Sequence, residues 1–143
     1  MNIVVDTNIV FSALVGAGSV IPELIMSPFG SCRFYTSEVL LEELDRHKGK
    51  LQKVSRLTER EIDRAKTALF KYIAVIPPDT IPQAAWREAE YLTMDTDPDD
   101  IPFVALSIFL SAHLWTGDKA LYNGLLRNGF SKVLLTPQLK AML

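Results

Sequence analysis

The sequence predicts an α/β fold, a three-layer α/β/α sandwich with a central, mainly parallel sheet. Short apolar runs such as Ile3-Val4-Val5 alternate along the chain with longer segments whose apolar residues recur at helical spacing. This alternation is typical of parallel sheets covered by helices on both faces. No linker, internal repeat or low-complexity tract interrupts it. The 143 residues are therefore expected to form one domain, 1–143.

Five short apolar segments have the composition of buried strands. They are rich in β-branched and aromatic residues, and turn-forming residues follow them. Pro77-Pro78 ends the third, because proline cannot donate to a strand ladder. The predicted strands are residues 2–5, 33–36, 75–76, 113–116 and 132–135.

The segments between the strands carry helix start and stop signals. Thr58 and Glu61 form a capping box, Ser19 and Ser37 are predicted N-caps, and Pro82 suits a first helical turn. A break is expected at Gly16-Ala17-Gly18 and a turn at Pro28-Phe29-Gly30. The predicted helices are residues 8–14, 20–26, a long helix from 38 toward 51, 58–73, 82–94, 101–112, 119–126 and a short one after 136.

Bulk composition excludes several classes of protein. The chain is 48% hydrophobic and 22% charged, which supplies a packed core and argues against disorder. Cys32 is the single cysteine, so no intrachain disulfide and no cysteine-based zinc site are expected. The longest apolar stretch, 103–114, contains two serines and a histidine and is shorter than the ~20 residues that cross a bilayer. With no signal-peptide pattern at the N terminus, we expect a soluble, cytoplasmic protein.

Two aspartates follow predicted strands directly. Asp6 ends the run Ile3-Val4-Val5, and Asp118 follows the strand that ends near Thr116. Ligands bind at the carboxyl ends of strands in open parallel sheets, so both side chains are expected at one site. The alternative is that each aspartate only caps the helix that follows it.

Two further acids are expected to join them. Asp100 opens the helix that precedes the strand before Asp118, which brings both acids to one end of the sheet. Glu43 shares a helix face with Leu40 and Leu44, although a helical glutamate is more often solvated. Carboxylates that meet repel one another unless a cation joins them, and hard divalent cations take oxygen ligands. The pattern indicates a metal-dependent site for phosphate chemistry.

The polar residues near these four acids have either a supporting role at the site or only a structural role. Thr7 and Asn8 are placed to orient Asp6 or to contact phosphate oxygens. Asp97 is either a turn former or a secondary ligand, and Asp99 is interpreted as a solvated turn residue.

Net charge is −2, which does not by itself indicate a nucleic-acid binder. Five basic residues nevertheless fall close together: Arg46, Lys48, Lys50, Lys53 and Arg56. They suit a local phosphate-binding face or, equally well, a solvated helix end. His47 and His113 lack metal-ligand spacing, and neither has the pattern of a general base.

Four segments together resemble the PIN domain family of Mg²⁺- or Mn²⁺-dependent ribonucleases. The first contains Val5-Asp6-Thr7-Asn8, and the last contains Thr116-Gly117-Asp118. The resemblance runs through residues 3–14, 40–44, 97–106 and 114–119, in the family's order. Together the four segments are much more specific than Asp-Thr-Asn alone.

The resemblance implies a site and a set of partners. It implies a metal pocket of Asp6, Glu43, Asp100 and Asp118, with Asn8 and Thr116 as supporting polar residues. It implies RNA as substrate and Mg²⁺ or Mn²⁺ as cofactor. Many relatives are VapC-type toxins with a partner antitoxin, and homodimers are common, so a homodimer and an antitoxin partner are expected.

Two other functions remain open from the sequence. One is a non-catalytic RNA-binding or adaptor module on the same fold, against which the presence of all four acids argues. The other is a phosphatase that uses Asp6 as a nucleophile. Haloacid-dehalogenase-type phosphatases want a second aspartate two residues later, where this chain has Asn8.

Overall fold

The central feature of the molecule is a parallel sheet. A computed structural model describes residues 1–16, 20–27 and 31–143. In the described residues the sheet has five strands, in the order β3-β2-β1-β4-β5, and every strand pair is parallel. The strands are β1 (Asn2–Val5), β2 (Arg33–Ser37), β3 (Ile73–Ile76), β4 (His113–Trp115) and β5 (Val133–Leu134).

The strand order places a switch point between β1 and β4. The chain builds outward from β1 through β2 to β3, then returns to the other side of β1 for β4 and β5. Val5 is level with Trp115 in the ladder, and the Asp6 amide donates to the Trp115 carbonyl at 3.3 Å. The residues that follow β1 and β4 are therefore neighbours at the position where open α/β sheets bind ligands.

Helices flank the sheet on both sides, which confirms the predicted fold class. α7 contacts β1, β2 and β4 as well as α6. The sequence of α7 is almost entirely apolar, because Phe103 to Ser107 are all buried. α1 contacts the four helices that follow it. The described helices are α1 (Thr7–Val15), α2 (Ile21–Met26), α3 (Val39–Arg46), α4 (Lys48–Ser55), α5 (Glu59–Leu69), α6 (Gln83–Leu92), α7 (Ile101–Leu110), α8 (Lys119–Arg127) and α9 (Thr136–Met142).

The long helix predicted from residue 38 is in fact two helices. α3 ends at Arg46, and His47 leaves helical geometry with φ −103° and ψ 18° before α4 begins. The apolar spacing was too loose to show this break, because only Leu40, Leu44 and Leu51 are buried along both helices.

The helix predicted over 58–73 ends four residues early. Its capping box forms as predicted, with Thr58 and Glu61 each accepting the other's backbone N–H at 3.1 Å. Ile73 belongs to β3, where it pairs with Phe34, rather than to the apolar face of α5. A buried isoleucine satisfies either period, and the strand register decided which one it follows.

Three local predictions lie wholly or partly outside the described residues: the break at 16–18, the cap at Ser19 and the turn at 28–30. Within the described part of the chain, no helix combines the length and apolar character needed to cross a membrane.

Candidate active site

A cleft of about 340 Å³ opens where β1 and β4 end. All four acids predicted from the sequence line it, as do Asn8 and Asp97. The remaining lining residues are Thr7, Phe11, His47, Lys50, Asp99 and Phe103. Residues from the β1–α1 junction, α1, α3, α4, the turn before α7, α7 itself and the β4–α8 junction therefore meet at one place.

Asp6 is the most deeply buried of the acids, at 3% exposure. It caps α1, with Oδ1 accepting the Ile9 N–H at 3.1 Å, and its Oδ2 accepts the Thr116 hydroxyl. Burial raises the pKa of Asp6 to about 6, against the opposing effect of these hydrogen bonds, and the Asp118 charge raises it further. The capping interpretation of Asp6 is correct, yet it leaves this carboxylate in the cleft wall.

Thr116 lies at the centre of the switch point and is fully buried. While its hydroxyl donates to Asp6, it accepts the Asp118 backbone N–H at 3.0 Å. One hydroxyl thus joins the residue after β1 to the residue after β4. These two hydrogen bonds are compatible with the supporting role that the family resemblance implies for Thr116.

Asp118 is half-buried and caps α8. Its Oδ1 accepts the backbone N–H groups of Ala120 at 2.9 Å and Leu121 at 3.2 Å. Its Oδ2 receives no hydrogen bond from the described residues, so one carboxylate oxygen is unoccupied by the capping role.

Asp100 occupies the N-cap position of α7 but forms no capping hydrogen bond. Its Oδ2 is buried and has no hydrogen-bond partner among the described residues. Burial raises the pKa of Asp100 to about 7, and the charges of Asp118, Asp6, Asp97 and Asp99 add to that effect. A buried carboxylate oxygen without a hydrogen-bond partner is costly, and coordination of a cation is one way to offset that cost.

Glu43 projects from α3 into the cleft and is half-buried, between buried Leu40 and Leu44. Burial is the main cause that raises its pKa, and Arg46 and His47 oppose it. The nearby Thr7 hydroxyl also lowers this pKa, although Thr7 Oγ1 forms no hydrogen bond of ordinary geometry and is buried. Glu42 is exposed and does not line the cleft, as the helical spacing predicts.

Asp97 and Asp99 lie in the turn that precedes α7. Asp97 Oδ1 accepts the Asp99 N–H at 2.9 Å, which caps the 3₁₀ turn Pro98–Asp100. Both side chains are exposed and both line the cleft. Asp97 therefore forms the turn as one of its two predicted roles requires, and its place in the cleft lining leaves the second role, that of a secondary ligand, a prediction.

The donor set fits a hard divalent cation. It consists of carboxylate oxygens, with the partnerless oxygen of Asp100 and the partnerless hydroxyl of Thr7 beside them. Among the described residues, however, no three carboxylate, histidine or cysteine side chains are already drawn together as a finished metal site.

One wall of the cleft was not identified from the sequence. Phe11 projects from α1, and Lys50 from α4 lies with its Nζ 5.8 Å from the Phe11 ring centroid. His47, at the α3–α4 junction, completes this wall. Lys50 is part of the basic run noted in the sequence. Because a single continuous helix was predicted from residue 38, the position of the Lys50 side chain in the cleft could not be predicted.

The fold and the cleft together define a class: a parallel α/β domain with an acidic pocket at its switch point. Within that class, the PIN domain family profile matches residues 4–136, nearly the whole chain. The chain belongs to the PIN domain family, whose members are generally nucleases that use divalent metals.

A solved structure shares the fold. The chain is similar to one in the crystal structure of VapBC2 from Rickettsia felis bound to a DNA fragment from their promoter. The identity is 12%, the TM-score is 0.62, and the match covers 94% of this chain and 97% of the other. No curated protein sequence matches this chain significantly.

Proposed function

We propose that this protein is a metal-dependent endoribonuclease that hydrolyses RNA phosphodiester bonds. The metal-binding residues are Asp6, Glu43, Asp100 and Asp118. The observation that supports this most strongly is the convergence of all four acids on one cleft, where Asp100 Oδ2 is buried without a partner. We propose Mg²⁺ or Mn²⁺ as the cofactor because these ions prefer the oxygen ligands present.

The chain's own residues hold the reacting groups in place. A bound divalent metal supplies a Lewis acid and a water of lowered pKa. Thr116 fixes the Asp6 carboxylate through Oδ2, and the Ile9 amide fixes it through Oδ1, so its orientation does not depend on the ligand. Asp118 is held in the same way through Oδ1. Asn8, exposed at the start of α1, is proposed to contact phosphate oxygens, and Asp97 to shape the turn that carries Asp100.

The test is cleavage of a labelled mixed-sequence RNA pool in Mn²⁺, in Mg²⁺ and in EDTA. We expect metal-dependent cleavage that Asp6→Asn reduces by at least about 100-fold, since a first ligand is lost while the α1 cap is retained. Asp79→Asn is the matched control, because Asp79 is exposed and does not line the cleft. Cleavage that persists in EDTA, or equal activity in both variants, would contradict the proposal.

We further propose that the nuclease is the toxin of a toxin–antitoxin pair and acts in the cytoplasm, with a homodimer as its assembly. The support for the toxin assignment is the structural similarity to the VapBC2 structure. Co-expression with the protein encoded beside it, followed by co-purification and loss of RNA cleavage, is the expected result. Unchanged cleavage in the presence of that protein would remove the toxin assignment without affecting the nuclease.

The alternative is a non-catalytic RNA-binding or adaptor module on the same fold. The observation that favours it is the absence, among the described residues, of a cluster already arranged to hold a metal. Calorimetric titration with Mn²⁺ separates the two functions. Binding that is lost in Asp100→Asn supports the nuclease, whereas RNA binding without any metal binding supports the adaptor.

A further inference from the structure

The cleft is electrostatically one-sided. Six carboxyl groups line it in the described structure, and its basic side chains are Lys50 and His47. Above neutral pH, one divalent cation neutralises two of the six charges, so the acidic walls still repel a phosphate group. The wall that His47 and Lys50 form is the side from which a polyanion can enter.

Lys50 is held on this wall without being neutralised. Its Nζ lies 5.8 Å from the centroid of the Phe11 ring, a cation–π distance. Lys48, two residues earlier, pairs instead with Glu59 at the surface, and this is the one ion pair among residues 1–16, 20–27 and 31–143. Lys50 therefore keeps its charge available although carboxylates line the same cleft.

Phe11 supplies the surface that the Lys50 ammonium faces in the cleft wall. The ring is half-buried on α1, one helical turn beyond Asn8, and packs against the hydrophobic core. Because the core holds the ring, the ring face is a fixed surface for the flexible lysine stem. The break at His47 directs α4 toward α1, which those two helices' contact confirms.

We propose that Lys50, positioned by Phe11, binds a phosphate of single-stranded RNA adjacent to the scissile one. The identity of the substrate in this inference rests on the proposed nuclease function. A lysine is suited to the task because its ammonium is a compact point charge that any phosphate can approach. A single strand is the expected form of the RNA, because its unpaired bases can be splayed out and its backbone can bend into a cleft. RNA would then cross from the α4 wall onto the acidic wall.

The test is RNA binding, measured by fluorescence anisotropy with a labelled mixed-sequence single strand. The full-length Asp6→Asn protein in Mg²⁺ is the background, so that cleavage does not interfere. We expect Lys50→Ala to raise Kd several-fold and to make the negative slope of log K against log salt shallower by about 0.7, the value for one phosphate contact. Lys53→Ala is the matched control, since Lys53 is an exposed lysine of the same helix that does not line the cleft.

Phe11→Leu tests the positioning role. It keeps apolar bulk but removes the ring face, so it should reproduce part of the Lys50→Ala loss and add nothing in a Lys50→Ala background. Additive effects would show that Phe11 does not act through Lys50. Circular dichroism and melting of each variant confirm that the fold is retained.

The outcomes separate this inference from the proposed function. Equal effects of Lys50→Ala and Lys53→Ala, or no RNA binding at all, would overturn the phosphate site. Lys50-dependent binding in a protein that never cleaves RNA would overturn the nuclease and leave the phosphate site standing. Metal-dependent cleavage whose KM does not change in Lys50→Ala would support the nuclease and overturn the phosphate site.

Discussion

At the scale of single residues, the capping and ligand interpretations of the acids turn out to be compatible. Asp6 and Asp118 both cap helices, and each uses Oδ1 to do so. The cap fixes the carboxylate, which is what a metal ligand needs before the metal arrives. Asp100 is different, because it stands at a cap position and forms no cap hydrogen bond. The free-energy cost of burying the Asp100 carboxylate is therefore not offset by hydrogen bonds to its own helix.

Thr116 provides the sharpest prediction at this scale. Thr116→Val preserves shape but leaves the Asp118 N–H and Asp6 Oδ2 without their partner. We expect a loss of about 1–3 kcal/mol in the free energy of unfolding, because buried polar groups become unsatisfied. The pKa of Asp6 should also rise further, since the hydroxyl lowers it now. Urea denaturation measures the stability, and RNA cleavage measures the site.

Thr116→Ser is the control, because it retains the hydroxyl. Activity close to that of the unsubstituted protein in Thr116→Ser, with a loss of at least about tenfold in Thr116→Val, is expected. Equal cleavage by the two variants would show that the hydroxyl does not support the site.

At the scale of elements, the acidic turn before α7 is positioned by α8. A Cβ added at Gly124 would lie 2.8 Å from Thr96 Cγ2, closer than packed atoms allow. Asn128 of the same region donates through its side-chain amide to the Leu92 carbonyl at 3.0 Å. α8 therefore sets the course of the chain from Leu92 toward the 3₁₀ turn that carries Asp100.

Gly124→Ala should consequently displace Thr96 and disturb the acidic turn. We expect a stability loss of about 1–3 kcal/mol, typical of overpacking, together with weaker Mn²⁺ binding by calorimetry. Thr96→Ser removes the clashing methyl and keeps the hydroxyl that donates to the Thr93 carbonyl at 3.1 Å. The Gly124→Ala/Thr96→Ser double variant should recover most of the lost stability and metal binding. If it does not, contact with the Thr96 methyl is not the cause of the Gly124→Ala effect.

At the scale of the whole molecule, the acidic cleft makes stability depend on pH in an unusual direction. The folded-state pKa values of Asp6 and Asp100, about 6 and about 7, are raised above the ordinary 3.8. Between pH 3.8 and about 7, the folded state therefore binds more protons at these two carboxyl groups than the unfolded state does. By linkage, the metal-free protein should lose stability as pH rises from 3.8 to about 7.

This prediction is checked by melting in EDTA across that pH range. Mn²⁺ added above pH 7 should raise the melting temperature, because it binds the ionised carboxylates of the folded state. In Asp100→Asn the fall with pH should be smaller, and Asp79→Asn should follow the unsubstituted protein. A metal-free protein that becomes more stable toward pH 7 would contradict the raised pKa values.

The layered α/β architecture and the acids that line the cleft could both be predicted from the sequence. Strands that are buried on both faces read as short apolar runs, and an aspartate directly after such a run must lie at the carboxyl edge of the sheet. The capping box at Thr58 could also be predicted, because its two hydrogen bonds join residues of the same helical turn. Local periodicity and local hydrogen bonding are contained in a few consecutive residues.

Other features of the molecule could not be predicted, because they arise from the packing of the folded chain. The break at His47, the transfer of Ile73 from a helix to β3, and the placement of Lys50 over Phe11 all depend on contacts between segments distant in sequence. So does the burial that raises the pKa values of Asp6 and Asp100 and leaves Asp100 Oδ2 without a partner. The physical reason is that burial and the proximity of charges are properties of the packed chain, and no single segment carries them.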